Sequence, residues 1–189
     1  MIDRLLTRRS VKVKNLTNPA PDGAELEQIV RAATRVPDHG KLAPWRIKII
    51  KDKGIEAFSS LVATRFAAIH ADANDKQINH ERERLANAPL ILAVLYTPQE
   101  GRIPLWEQEL STGAVCMNIL HAATALGFAG CWLTEWIAYD AEIATALGCG
   151  ERDRVAGLIY IGTAAEAPEE RPRPELGEVV EEWVGATRG

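Results

Sequence analysis

WEQELSTGAVCMNILHAATALGFAGCWLT, residues 106–134, decides the fold. Its first part predicts one long helix from Trp106 to Leu126, stopped by Gly127 in the C′ position. At a rise of ~1.5 Å per residue, such a helix is roughly 30 Å long, the width of a small domain. Glu107 and Glu109 fall in its first turn, where the helix dipole favours negative charge. Beyond that turn only His121 can carry charge, and Leu110, Ala114, Val115, Ile119, Leu120 and Leu126 spread around the axis. A helix apolar on nearly every face is expected to be buried on nearly every face. FAGCWLT, residues 128–134, then predicts a short buried strand.

Around this stretch the pattern alternates. A short helix is expected over residues 2 to 9, with Ile2, Leu5 and Leu6 on one face. Pro19 and Pro21 break the chain. Asp22 and Glu25 resemble a capping box opening a helix to Arg35. Residues 36–45, VPDHGKLAPW, form a loop stiffened by two prolines, and Ile47 to Lys51 a strand. Gly54 to His70 is helical by its apolar spacing, and 71–88 is a polar helix ended by Pro89. LILAVLY, residues 90–96, is a fully buried strand. Asp140 caps a short helix that Gly148 ends, and Val155 to Ile161 is a further apolar strand. The expected class is α+β, a mixed sheet flanked by helices around the long central one, with residues 1–189 as a single domain.

The 189 residues suffice for one sizeable core. Hydrophobic residues make 47% and charged residues 25%, ordinary for a globular protein, and a net charge of -4 argues against general nucleic-acid or membrane-surface binding. No apolar run is long enough for a membrane-spanning helix, and MIDRLLTRRS lacks the apolar core of a signal peptide, so a cytoplasmic location is expected. Cys116, Cys131 and Cys149 sit in apolar contexts and are expected as free thiols. With no CxxC, HExxH or clustered His, no metal site is expected.

Three stretches could carry chemistry. Arg8-Arg9-Ser10 with Lys12 places phosphate-capable side chains just after a helix, although a solvated basic segment reads the same way. Arg35 with Pro37-Asp38-His39 and Pro44-Trp45 presents a His and a Trp on a stiff loop, suited to packing an aromatic ligand or to plain structure. Gly127 and Gly130 flank a strand and permit close approach of a ligand or of a neighbouring element. There is no GxGxxG, no GxxxxGK[ST] and no GxSxG, so no dinucleotide cradle, Walker loop or nucleophile elbow is present. Chemistry borrowed from a cofactor is the natural alternative.

In this order, RRS at 8–10, the helix at 22–35, RVPDHGKLAPW at 35–45, WEQELSTGA at 106–114, LGFAGCW at 126–132 and GLIYIG at 157–162 resemble the nitroreductase family, in particular its minimal YdjA-type members. The resemblance implies a homodimer with two FMN sites at the subunit interface. It implies ping-pong hydride transfer from NAD(P)H to flavin N5, then to a nitroaromatic, quinone or related electrophilic acceptor, with no catalytic side chain. A different flavin reaction on the same fold, or a flavin-binding redox module with little turnover, is the alternative.

By the same resemblance, Arg8 and Ser10 bind the phosphate and ribityl end, and Arg9 and Lys12 lie near the ribityl chain and pyrimidine edge. Arg35 and His39 come from the partner subunit. Trp132, Leu133 and Thr134 run past the isoalloxazine ring, and the stretch Ala122, Ala123, Thr124, Ala125, Leu126 and Gly127 is linked to the nicotinamide. Leu133, Ala43 and Pro37-Asp38-His39 depart from the commoner family pattern and bear on the substrate rather than the cofactor.

Overall fold

Every residue of β3, Leu90–Tyr96, is buried. Its side chains alternate between two cores: Leu90, Leu92 and Val94 enter one, Ile91, Ala93 and Leu95 the other. A strand dry on both faces needs a layer on each side, which is why its sequence is a continuous apolar run. The computed structural model describes residues 2–185, so the two ends of the expected 1–189 domain lie outside the described residues.

The helices are α1 Ile2–Thr7, α2 Gly23–Ala33, α3 Lys53–Ile69, α4 Asp75–Ala86, α5 Leu105–Ala125, α6 Ala141–Ala146 and α7 Leu176–Val179. The other strands are β1 Leu16–Thr17, β2 Trp45–Ile50, β4 Ala129–Leu133 and β5 Arg154–Ala164. In the sheet the order is β1-β5-β3-β2, with β4 also paired to β5. One core lies between the sheet and α2 and α5, the other between the sheet and α3, α4 and α6.

The α+β class is as expected, but every pairing is antiparallel where a mixed sheet was expected. The connections explain this. The helical hairpin α3–α4 returns the chain to the end where β2 finished, so β3 runs opposite to β2. The single helix α5 does carry β4 into the direction of β3, but β5 lies between those two strands and opposes both.

Two local expectations also change. Asp22 stands at the N-cap of α2, but its carboxylate takes Lys51 Nζ at 2.6 Å instead of closing a capping box with Glu25. An ammonium at the end of β2 outcompetes a neutral backbone N–H. The capping box is instead at α4, where Asn74 and Gln77 bond reciprocally.

The end of α5 follows the sequence closely. Gly127 has φ +90, its N–H bonds to Thr124 O at 3.1 Å and that of Phe128 to Ala123 O at 2.9 Å, a Schellman turn. Burial of α5 on every face does not hold. Val115, Cys116, Ile119, Leu120 and Ala123 face the sheet and α2, whereas Trp106 is 67% and Leu110 54% exposed. The sheet and α2 cover one side, and α1 is too short to cover the other.

Candidate active site

The basic segment follows α1 directly. Val11 is buried and its N–H bonds to Gly130 O at 3.1 Å, so residues 8–12 are fastened to β4. This fastening leaves Arg8 half-buried, with Nη1 fully buried and without a hydrogen-bond partner among the described residues. Burial first, then the charges of Arg173 and Arg9, push the Arg8 pKa down. A guanidinium desolvated beside two others is costly by itself and is relieved by an anion.

Arg9 bonds to the carbonyls of Leu6 and Arg8 and pairs with Glu170. Ser10 and Lys12 are exposed, and Lys12 lines a cleft of about 410 Å³ with Lys14, Glu170 and Arg171. His121 of α5 also lies in reach of the Arg8 charge, which together with burial, the larger effect, lowers its pKa. The sequence reading missed Arg173. Its only signal was the alternation Arg171-Pro172-Arg173-Pro174 in the tail.

The loop before β2 is bound tightly to α5. Ser111 Oγ donates to Pro37 O, and Thr112 Oγ1 to Pro44 O at 3.0 Å. Asp38 accepts the N–H groups of Leu42 and Ala43 at 3.1 and 2.9 Å, which holds Ala43 at φ 47. His39 Nδ1 meets Glu107 Oε2 at 2.6 Å, so Glu107 serves this loop as well as the helix dipole. Arg35 is exposed, and its carbonyl accepts Asn118 Nδ2 at 3.2 Å. No hydrogen bond or ion pair among the described residues joins Arg35 or His39 to Arg8, Arg9, Ser10 or Lys12.

At β4, Trp132 Nε1 donates to Ala156 O at 3.1 Å, and 37% of the residue is exposed. Leu133 packs against the core. Thr134 lines a cleft of about 640 Å³ with Tyr96, Glu109, Thr112 and Tyr139. Immediately after it, Glu135 takes φ 49, ψ -172. That geometry lies near a region kept for glycine, where another residue costs ~1–3 kcal/mol.

The stretch 122–127 divides. Ala122, Thr124 and Ala125 line a groove of about 690 Å³ with Arg4, Leu5 and His121. Ala123 points into the core at 1% exposed, and Leu126 and Gly127 form the Schellman turn.

The layered α+β fold thus brings the half-buried Arg8 beside β4, which carries the partly exposed Trp132. Residues 5–163 match the family model described as "Nitroreductase family", and the chain belongs to that family. It is 37% identical over 163 residues to the protein named "Putative NAD(P)H nitroreductase YdjA" of Escherichia coli (strain K12), covering 86% of this chain and 87% of that protein. A nitroreductase-like family protein from Bacillus cereus has a similar structure, with TM-score 0.85, 24% identity and coverage of 98% and 97%. So does a mutant of the FMN and NADPH-dependent nitroreductase NfnB from sphigopyxis sp. strain HMH, with TM-score 0.77, 24% identity and coverage of 97% and 98%.

Proposed function

We propose that this chain is an FMN-dependent NAD(P)H oxidoreductase that reduces nitroaromatics, quinones or related electrophilic acceptors by a ping-pong scheme. The observation that carries it is Arg8: a buried guanidinium edge without a partner among the described residues, flanked by Arg9 and Arg173. This donor set fits one terminal phosphate, and the chain has no dinucleotide fingerprint, which favours FMN over FAD. The names of the relatives, which include NAD(P)H and FMN, support the same reading.

Arg8 and Ser10 would hold the phosphate and ribityl end, with Arg173 as a second cation there. Lys12 and Arg9 would stand toward the pyrimidine edge, and Trp132 to Thr134 beside the ring. When bound, FMN supplies a ring that takes two electrons from NAD(P)H and passes them to the acceptor. One open ring face serving donor and acceptor in turn is the reason for ping-pong order.

The site is completed by a second copy. Leu105, Trp106 and Leu110 leave one side of α5 apolar and exposed, and Ile2, Leu5 and Leu6 extend the exposed apolar surface of this fold. Burial of such a surface favours association. Arg35 and His39, unconnected to the Arg8 cluster within one chain, would reach the partner's cofactor.

The test is direct. The protein should purify yellow, release FMN on acid treatment, and bleach anaerobically with NADH or NADPH. Parallel double-reciprocal lines are expected in steady state. Colourless protein that ignores added FMN, or released FAD, overturns the cofactor. Coloured protein that neither nucleotide bleaches leaves a flavin-binding module and overturns the reductase.

A further inference from the structure

We propose that Arg84, on α4, is a positioning residue that fixes the Thr134–Glu135 peptide beside the FMN ring; this rests on the cofactor reading above. Glu135 adopts φ 49, ψ -172, which glycine takes freely and glutamate avoids. The side chain supplies what the backbone lacks. Glu135 Oε2 meets Arg84 Nη1 at 2.5 Å.

Arg84 is itself fixed from its other edge. Its Nε and Nη2 reach Glu81 Oε2 at 2.9 and 2.8 Å. That oxygen also accepts Trp136 Nε1 at 3.2 Å, and the Trp136 ring lies 5.9 Å from Phe66 of α3. The hairpin α3–α4 thus grips two consecutive residues, Glu135 by charge and Trp136 by hydrogen bond and ring packing. Arg84 and Glu81 are mostly buried, so solvent screens the anchoring pair little, while the Glu135 carboxylate reaches it from the exposed side.

What the grip presents is a backbone group. The Glu135 amide donates no hydrogen bond among the described residues. It follows Trp132 to Thr134, the segment read as running past the ring. A free N–H held in a strained, clamped peptide is a preorganised donor. Arg84 would act on the flavin through that donor, without touching it.

Substitutions at residue 135 separate this role from plain stability. Glu135→Ala and Glu135→Gly both remove the ion pair and both leave Arg84 with Glu81. Only glycine keeps the backbone geometry without the clamp. FMN titration by fluorescence and the midpoint potential of the bound flavin are measured for both, and melting temperatures are recorded alongside.

Glu135→Ala should weaken FMN binding about tenfold and shift the potential, because alanine leaves the strained geometry once unclamped. Glu135→Gly should keep both close to wild type, even if both variants melt earlier. Arg84→Met should resemble Glu135→Ala, and Arg84→Met with Glu135→Gly should recover affinity. Equal behaviour of the alanine and glycine variants, with wild-type FMN binding intact, overturns the positioning role alone. Wild-type protein that binds no FMN overturns the cofactor reading and this proposal with it.

Discussion

Trp132 lies across Gly157, where a Cβ would stand 2.1 Å from Trp132 Nε1 and 2.5 Å from Cδ1. The two residues sit on the paired strands β4 and β5, and the absence of a side chain on one lets the indole of the other lie flat. The same indole comes within 4.0 Å of the position a Cβ would take on Gly113 of α5. Strand, strand and helix therefore share one aromatic plate next to the proposed ring site.

Gly157→Ala should expel that plate. The indole is partly exposed and can swing out, so the chain should still fold, with a loss of ~1–3 kcal/mol typical of overpacking. Tryptophan fluorescence and near-UV circular dichroism should change, and FMN affinity should fall. A variant with unaltered spectra and unaltered FMN binding would place the indole outside the site.

Arg8→Ala should weaken FMN binding far more than it disturbs folding. Removing a charge-assisted hydrogen bond to phosphate in a desolvated site costs ~1.5–3 kcal/mol, about one to two decades of affinity. Without ligand the variant should be at least as stable as wild type, because it deletes a half-buried cation repelled by Arg9 and Arg173. Urea melts with and without FMN check both halves; unchanged FMN stabilisation would refute the assignment.

Asp140 links acid stability to one ion pair. Its carboxylate accepts the Ile143 N–H at 2.9 Å and meets Arg65 Nη2 at 2.9 Å, with 9% of the side chain exposed. The hydrogen bond from Arg65 is the largest cause holding its pKa below the ordinary 3.8. A folded pKa below the unfolded one means that the unfolded chain binds the extra proton first. The contribution is full above the unfolded value and is lost as pH falls through the folded one. Asn caps a helix about as well as Asp, so Asp140→Asn loses chiefly the charge-assisted bond from Arg65; it should cost ~1–2 kcal/mol at pH 7, and the gap to wild type should narrow below about pH 4. Urea midpoints at neutral and acid pH decide it, and a gap that widens in acid contradicts the sign.

Mixing two damaged proteins tests whether chains share a site. If Arg8 comes from one subunit and His39 from the other, a heterodimer of Arg8→Ala and His39→Ala carries one doubly damaged site and one intact site. FMN binding should return in part after subunit exchange. If each chain supplies both residues to its own site, every site keeps one lesion and mixing restores nothing.

The parts of this molecule that were legible in its sequence are those written in local pattern. LILAVLY is buried throughout because a continuous apolar run of that length can only lie between two layers, and Gly127 ends α5 because its neighbours require a left-handed residue there. RRS marked the basic segment. Arg173 was not legible, because its approach to Arg8 depends on the path of the whole tail. Asp22 does stand at the N-cap of α2, but Lys51, just past the end of β2, takes the carboxylate that a capping box would need. Glu135 gave no sign of its positive φ, since nothing in its residue type favours that geometry. The apolar surround of α5 announced burial without announcing that only one side is covered within the chain.

The position of β5 has a consequence for synthesis. Three of the four strand pairings, those of β1, β3 and β4, are made to β5. A nascent chain that has emerged only as far as α6 can pair β2 with β3 and little else, while β1 and β4 present bare edges. Its apolar strands must wait for Arg154–Ala164 to arrive. Closure is then long-range and late, so the folding step should follow release of that strand from the ribosome instead of proceeding element by element. A stalled chain ending just before β5 should be sensitive to protease, and one extended past Ala164 by the length of the exit tunnel should become resistant.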